Sequence, residues 1–294
     1  SAVAIVVPDI QNPYFAELTV GVQAALDREG KTVFLANTQD DVETQSRNLA
    51  RLVESRVDGV ILCAAQGTKR SHLEQIEAAG IAVVLVSRRV TAAPFPYVGP
   101  RNKAGGAAAA AHLVERGHRD IAFVGGEEGS SARRERMAGV HERLGKAGIR
   151  LAEGRTPECP PTRFAATAAT EALFARAPNR PSAEASPKTR RRAGAQTPTA
   201  VIAYNDVVAL GVMDGLYRLG LVPGVDCSVV GFDDISDASS VRPALTTVAA
   251  PPSDLAELAV DHLSQPRSAP GARPPRSLVT GTLVVRETTG PPPG

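Results

Sequence analysis

Apolar residues fall in short continuous runs separated by amphipathic stretches along most of the chain, an alternation that predicts strands and helices in turn. The runs at residues 3–7, 33–36, 60–63, 82–86, 121–124, 201–203 and 229–232 read as strands. They are continuous rather than alternating in polarity, which predicts parallel sheets covered on both faces. Between the first two runs, Asn12 reads as an N-cap, Pro13 as the first helical residue and Gly30 as the stop. Phe15, Leu18, Val22, Ala25 and Leu26 recur there at helical spacing and give one core-facing stripe. The same reading predicts helices over 42–55, 105–116, 134–147, 164–176, 206–219 and 253–264.

The pattern restarts near residue 100, where the extended segment Tyr97-Val98-Gly99-Pro100 closes one set and Gly105-Gly106 opens another. Two α/β subdomains, each a doubly wound sheet, are the simplest architecture, with right-handed crossovers. Two further strands at 245–248 and 281–285 flank the last helix, as in a chain that revisits the first subdomain and leaves it again. Residues 178–198, rich in proline and holding Arg190-Arg191-Arg192, read as a flexible surface insertion. Residues 266–276 read as a second flexible connection, and 290–294 as a disordered tail.

Length and composition narrow the function. A chain of 294 residues suits two domains, and a net charge of +2 does not make a strong polyanion binder. No apolar run nears the roughly 20 residues that span a bilayer, so no membrane partner is expected. The three cysteines, Cys63, Cys159 and Cys227, are odd in number and widely spaced, which favours a reducing compartment over a disulfide framework. The five histidines include no metal-binding pair. No cofactor or metal is expected.

Polar residues gather where the apolar runs end: Asp9 after the first, Asn205 after 201–203, and Asp233 at the close of Val230-Gly231-Phe232-Asp233-Asp234. Open α/β sheets bind small molecules at such strand ends. With Tyr14, Phe15 and Arg136 these residues offer acceptors, donors and aromatic faces, a mixture that suits a polyhydroxylated ligand, and no nucleophile–base pattern. Each alone also fits a structural role: Asn205 or Asp206 as a helix cap, Asp233 in a turn, Phe15 in the core.

The chain resembles the regulatory core of the lactose-repressor/galactose-repressor family of bacterial transcription regulators, in order and over nearly its whole length. The resemblance rests on Val7-Pro8-Asp9 with Asn12-Pro13-Tyr14-Phe15, on Arg56-Val57-Asp58-Gly59-Val60-Ile61-Leu62 and on Tyr97-Val98-Gly99. It continues through Gly117-His118-Arg119-Asp120-Ile121, Arg136-Met137-Ala138-Gly139, Asn205-Asp206-Val207-Val208-Ala209-Leu210-Gly211, Val230-Gly231-Phe232-Asp233-Asp234 and Leu245-Thr246-Thr247-Val248. It implies a periplasmic-binding-protein-like fold of two parallel-sheet subdomains joined by three crossovers. The subdomains would be 1–99 with 250–279, and 100–249 with 280–294.

By matching positions, Arg136, Asn205 and Asp233 would hold a sugar-like effector from the second subdomain, and Asp9 with Tyr14 or Phe15 from the first. Arg101 and Asn102 stand near the same cleft. Arg101 replaces the usual Asp, and Ala250 a common Gln, which points to an effector unlike a plain neutral hexose, such as an acid. The resemblance further implies a cytoplasmic homodimer with surfaces in 71–86, 210–218 (Leu210, Met213, Tyr217) and 237–241. Operator DNA would be read by an N-terminal helix-turn-helix absent from these residues, its affinity changed by hinge closure on the effector. The alternative is a solute-binding protein of a sugar transporter. A nucleotide-dependent enzyme has only Gly125-Gly126-Glu127-Glu128-Gly129 in its favour, with two Glu that repel phosphate.

Overall fold

The computed structural model describes residues 2–175, 197–265 and 273–294. The chain forms two compact units, one of residues 1–101, 129–132 and 251–280, the other of 102–128, 133–250 and 281–294. The expected insertion at 178–198 lies almost wholly outside the described residues, as does most of the expected connection at 266–276.

The first unit is built on β1 (Ala2–Val7), β2 (Thr32–Asn37), β3 (Gly59–Leu62), β4 (Ala82–Val86), β5 (Tyr97–Pro100) and β10 (Arg276–Val279). They form one parallel sheet in the order β10-β5-β4-β3-β1-β2. Its helices are α1 (Pro13–Asp27), α2 (Val42–Glu54), the short α3 (Glu74–Ala78) and α9 (Pro252–Ser264). α1 starts as its sequence requires: Asn12 Oδ1 accepts the Tyr14 N–H at 3.1 Å, and Gly30 takes the left-handed φ of 67° after its end. The stripe Phe15, Leu18, Val22, Ala25 and Leu26 is buried. α1 lies against α9, where a Cβ on Gly21 would stand only 2.9 Å from the Ala256 Cβ.

The second unit carries β6 (Ile121–Val124), β7 (Ala200–Ala203), β8 (Ser228–Asp233), β9 (Thr246–Ala249) and β11 (Thr282–Val284), in the order β11-β9-β8-β7-β6. β6 to β9 are parallel. β11 runs antiparallel to β9, so this sheet is mixed rather than purely parallel. Its helices are α4 (Asn102–Glu115), α5 (Ser131–Lys146), α6 (Arg163–Ala175), α7 (Asp206–Arg218) and the short α8 (Ser236–Ser240). α6 and α7 approach closely because Gly211 and Gly215 present bare backbone to Ala166 and Thr170, and Thr167 Oγ1 donates to the Gly211 carbonyl at 3.1 Å.

Three expectations are corrected. The segment from Arg276 begins a strand, since its backbone pairs in parallel register with β5. The tail is not loose at its start: the Gly290 N–H donates to Ser228 Oγ at 3.0 Å, and the Gly290 carbonyl accepts from His118 Nε2 at 3.0 Å. The α7 stripe is not an open contact face, because Leu210 and Met213 are buried and only Tyr217 is exposed.

Candidate functional site

In the second unit the sheet itself sets the site. The parallel register pairs Ile202 with Val230, which brings the ends of β7 and β8 to the same edge. Apolar residues fill the strands, and the first polar ones, Asn205 and Asp233, emerge there, where open sheets hold ligands. Asn205 caps α7, its Oδ1 accepting the Val208 N–H at 3.0 Å. The capping role therefore holds, and it leaves the Nδ2 donors for other use.

Arg136 reaches this edge from α5 because two helices touch backbone to backbone. A Cβ on Gly106 would overlap the Arg136 carbonyl, and one on Gly139 would overlap the Lys103 carbonyl. Glycine in a helix interior costs about 1 kcal/mol relative to alanine, so these positions trade stability for approach. The approach sets Asn102, at the start of α4, beside Arg136: Arg136 Nε donates to Asn102 Oδ1 at 2.9 Å. Arg136 Nη1 donates to the Tyr204 carbonyl, and Nη2 stands 3.5 Å from Asp233 Oδ1. Its guanidinium lies 4.0 Å from the Phe232 ring centre and 5.1 Å from that of Tyr204. Arg136 and Asp233 are both buried.

Burial pushes the Asp233 carboxyl up to about 6, while the Arg136 guanidinium pulls it back. Asp233 and Asp234 hold left-handed φ values of 110° and 58°. Such conformations cost non-glycine residues about 1–3 kcal/mol and gather where a side chain must be aimed. Asp206, fully buried, is held well above the usual carboxylate range by burial first and by the Asp233 charge second.

The first unit has a comparable edge. Asp9 follows β1, half-buried, and its Oδ1 accepts the Gln11 N–H at 2.9 Å. Tyr14 is buried with its hydroxyl 2.8 Å from Ser87 Oγ. Phe15 is a core side chain, packed edge-on against Tyr14 at 5.1 Å. Arg101 is exposed, and its backbone N–H donates to Val279. The sequence reading overlooked Asp40, Ser87 and Arg88. Arg88 grips Asp40 through Nη1 to Oδ1 at 2.5 Å and Nη2 to Oδ2 at 3.1 Å. Asp40 and Ser87 take left-handed φ values of 58° and 60°. Applying the strand-end rule to β2 and β4, as it was applied to β1 and β8, finds all three. Tyr204 and Phe232, which flank the Arg136 guanidinium, adjoin Asn205 and Asp233 and were within reach of the same rule.

In each unit, then, acceptor carboxylates, planar cations and aromatic faces crowd the carboxyl ends of the strands. Such sets recognise compact polar molecules. Among the described residues no group of three His, Cys, Asp or Glu could hold a metal, and no helix is long and apolar enough to cross a membrane.

Two α/β units built this way, one on a parallel sheet and one on a sheet parallel but for its β11 edge, define a periplasmic-binding-protein-like fold. Comparison with known proteins gives the family. The profile described as periplasmic binding proteins and sugar binding domain of LacI family matches residues 1–185, and that of the periplasmic binding protein-like domain matches 110–289. The chain belongs to the LacI family. It is 30% identical to the ribose operon repressor of Halalkalibacterium halodurans over 98% of this chain and 79% of that protein. The crystal structure of a LacI family transcriptional regulator from Mycobacterium smegmatis superposes with a TM-score of 0.81 at 30% identity, covering 99% of both chains. The complex of the transcriptional regulator CelR with cellobiose superposes at 0.79 and 28% identity, covering 98% of this chain and 84% of that one. These relatives are transcription regulators, and the transporter alternative is not favoured.

Proposed function

We propose that this chain is the effector-sensing core of a cytoplasmic transcriptional repressor, non-catalytic, whose effector is a sugar or sugar derivative. Asp9, Tyr14, Phe15 and Arg101 are its ligand-facing candidates in the first unit, and Asn102, Arg136, Asn205 and Asp233 in the second. The observation that carries this reading is the buried Arg136–Asp233 pair against the face of Phe232. A carboxylate and a guanidinium fixed side by side offer an acceptor and a donor at the spacing of neighbouring hydroxyls, and Phe232, buried beneath the guanidinium, holds it in place. The sugar-binding description of the family and the cellobiose held by CelR support the ligand class.

A sugar that binds one arrangement of the units better than another shifts the chain toward it by that difference in affinity alone. Coupled to operator DNA, a shift of about 1–3 kcal/mol changes DNA affinity roughly 5- to 150-fold. The repressor works as a homodimer in this reading. Support comes from β2, an edge strand that exposes Phe34 (51%) and Leu35 (48%). An apolar edge of that kind pairs readily with a second copy.

A thermal-shift screen of sugars, sugar acids and polyols tests the reading. A ligand at 100 times its Kd adds about 2.7 kcal/mol to stability. Arg136→Ala should cut that gain by about half or more at the same ligand concentration. A screen in which no sugar or polyol raises the melting temperature removes the proposal.

A further inference from the structure

Asp206 neighbours Asn205 in sequence, and its side chain turns the other way, into the sheet. Its Oδ1 lies 2.6 Å from Thr247 Oγ1 on β9, and its Oδ2 accepts the Ile235 N–H at 3.0 Å. The carboxyl fits only because residue 231 is glycine: a Cβ there would overlap Asp206 Oδ1. Gly231 needs no unusual backbone angle, so the side chain of Asp206 is what reserves the space. Ile235 closes the two-residue turn in which Asp233 and Asp234 hold left-handed angles. Asp206 therefore ties together the start of α7, the middle of β9 and the far end of the strained turn that presents Asp233.

We propose that Asp206 is a positioning residue for the effector site, a buried brace that fixes the left-handed turn and so holds Asp233 beside Arg136. The brace works as a neutral acid. Burial and the charge of Asp233 both disfavour an ionised Asp206, and Asp233 has the guanidinium partner, so Asp233 carries the charge and Asp206 the proton. A neutral Asp206 anchors the Ile235 N–H without adding a second negative charge to the site. Purely structural packing would need only an apolar side chain of similar volume; the two directed contacts to Thr247 and Ile235 call for an acid or an amide.

That Asp233 is there for the effector rests on the sensor reading. The geometry of the brace is measurable without a ligand, so the two can fail separately. The test is a carbon-13 NMR titration of the Asp233 side-chain carboxyl in the intact chain and in variants, with circular dichroism as the check on folding. Wild type should titrate near 6. In Asp206→Ala the released turn lets water reach Asp233, and its midpoint should fall by about one pH unit or more toward the ordinary carboxylate value. Asp206→Asn, which keeps an acceptor for Ile235 in the same shape, should restore the midpoint to near 6. Gly231→Ala, which pushes the Asp206 carboxyl aside without deleting it, and Thr247→Val give the same readout if Asp206→Ala does not fold. An Asp233 midpoint that stays near 6 in every folded variant overturns the proposal. So does an Asp206→Asn variant that behaves like alanine, because the brace would then need the ionised form.

Discussion

The two ends of the second unit's sheet bury polar groups with opposite results. At the carboxyl ends of its strands Arg136, Asp206 and Asp233 are charged or proton-sharing, the backbone is left-handed, and two carboxyls are pushed upward. At the amino ends lie His112, His118, Thr199, Ser228, Thr246, Thr288 and Thr289, all uncharged groups in mutual contact. His118 bonds Thr199 Oγ1 at 2.9 Å and the Gly290 carbonyl at 3.0 Å, and His112 bonds Thr289 Oγ1 at 2.9 Å. Thr288 Oγ1 donates to the Val229 carbonyl at 2.7 Å and accepts the Thr246 N–H at 2.8 Å. One edge keeps charge and strain that a ligand can relieve. The other uses most of these groups to hold the returning chain, so in the proposed reading a single sheet separates sensing from stability.

The largest effect that would break this contrast is at the amino edge. Deleting residues 288–294 strips the partners from the Val229 N–H, the Thr246 N–H, Ser228 Oγ, His112 Nε2 and His118 Nε2. Each buried group left unsatisfied costs about 1–3 kcal/mol, so a loss of at least about 4 kcal/mol is expected in urea unfolding. Retention of wild-type stability would show that this edge is not structural.

At the carboxyl edge the expected damage is functional. Arg136→Ala removes the proposed donors to the effector and the cation beside Asp233. Hydrogen bonds involving a charged group are worth about 1.5–3 kcal/mol, so sugar affinity should fall roughly 10- to 100-fold in calorimetric titration. The Asp233 midpoint should rise above 6, since only burial would then act on it. A variant that binds like wild type would move the site elsewhere.

The contrast also explains what could be read from the chain. Strands and helices were legible because their apolar residues follow simple local periods, as Phe15 to Leu26 do in α1. The Asn205 and Asp233 strand ends were legible because polar residues closed apolar runs. The segment Glu287-Thr288-Thr289-Gly290 was not: it has no apolar period, and its partners Thr246, Val229, His112 and His118 lie about 40 to 180 residues away. The Gly106 and Gly139 approach was hidden for a related reason. A glycine inside a helix reads as a weakness until the backbone opposite it is known.

The smallest effect is the sharpest test, because the two edges respond to acid with opposite sign. Burial, reinforced by the Arg116 charge, lowers His112 to about 4, against an ordinary value near 6.5. Below 6.5 the unfolded chain takes up a proton that the folded chain refuses, so this group's contribution is present above 6.5 and lost as pH falls toward 4. Between pH 7 and 5 that loss is about 2 kcal/mol. Asp233 works the other way: with its folded value near 6 against 3.8 unfolded, the folded form gains the proton first. Its contribution is full below 3.8 and lost as pH rises through 6, so acidification from 7 to 5 gains about 1 kcal/mol. Asp206, which keeps its proton in the folded chain, acts in the same direction as Asp233, so in wild type the two carboxyls together oppose the histidine loss in urea titrations at the two pH values. Relative to wild type, Asp233→Asn should shift the balance toward acid loss by about 1 kcal/mol, whereas His112→Gln should shift it toward stabilisation, lessened by His118, which burial also lowers. Identical slopes for wild type and Asp233→Asn would mean that the carboxyl edge carries no stored charge to respond.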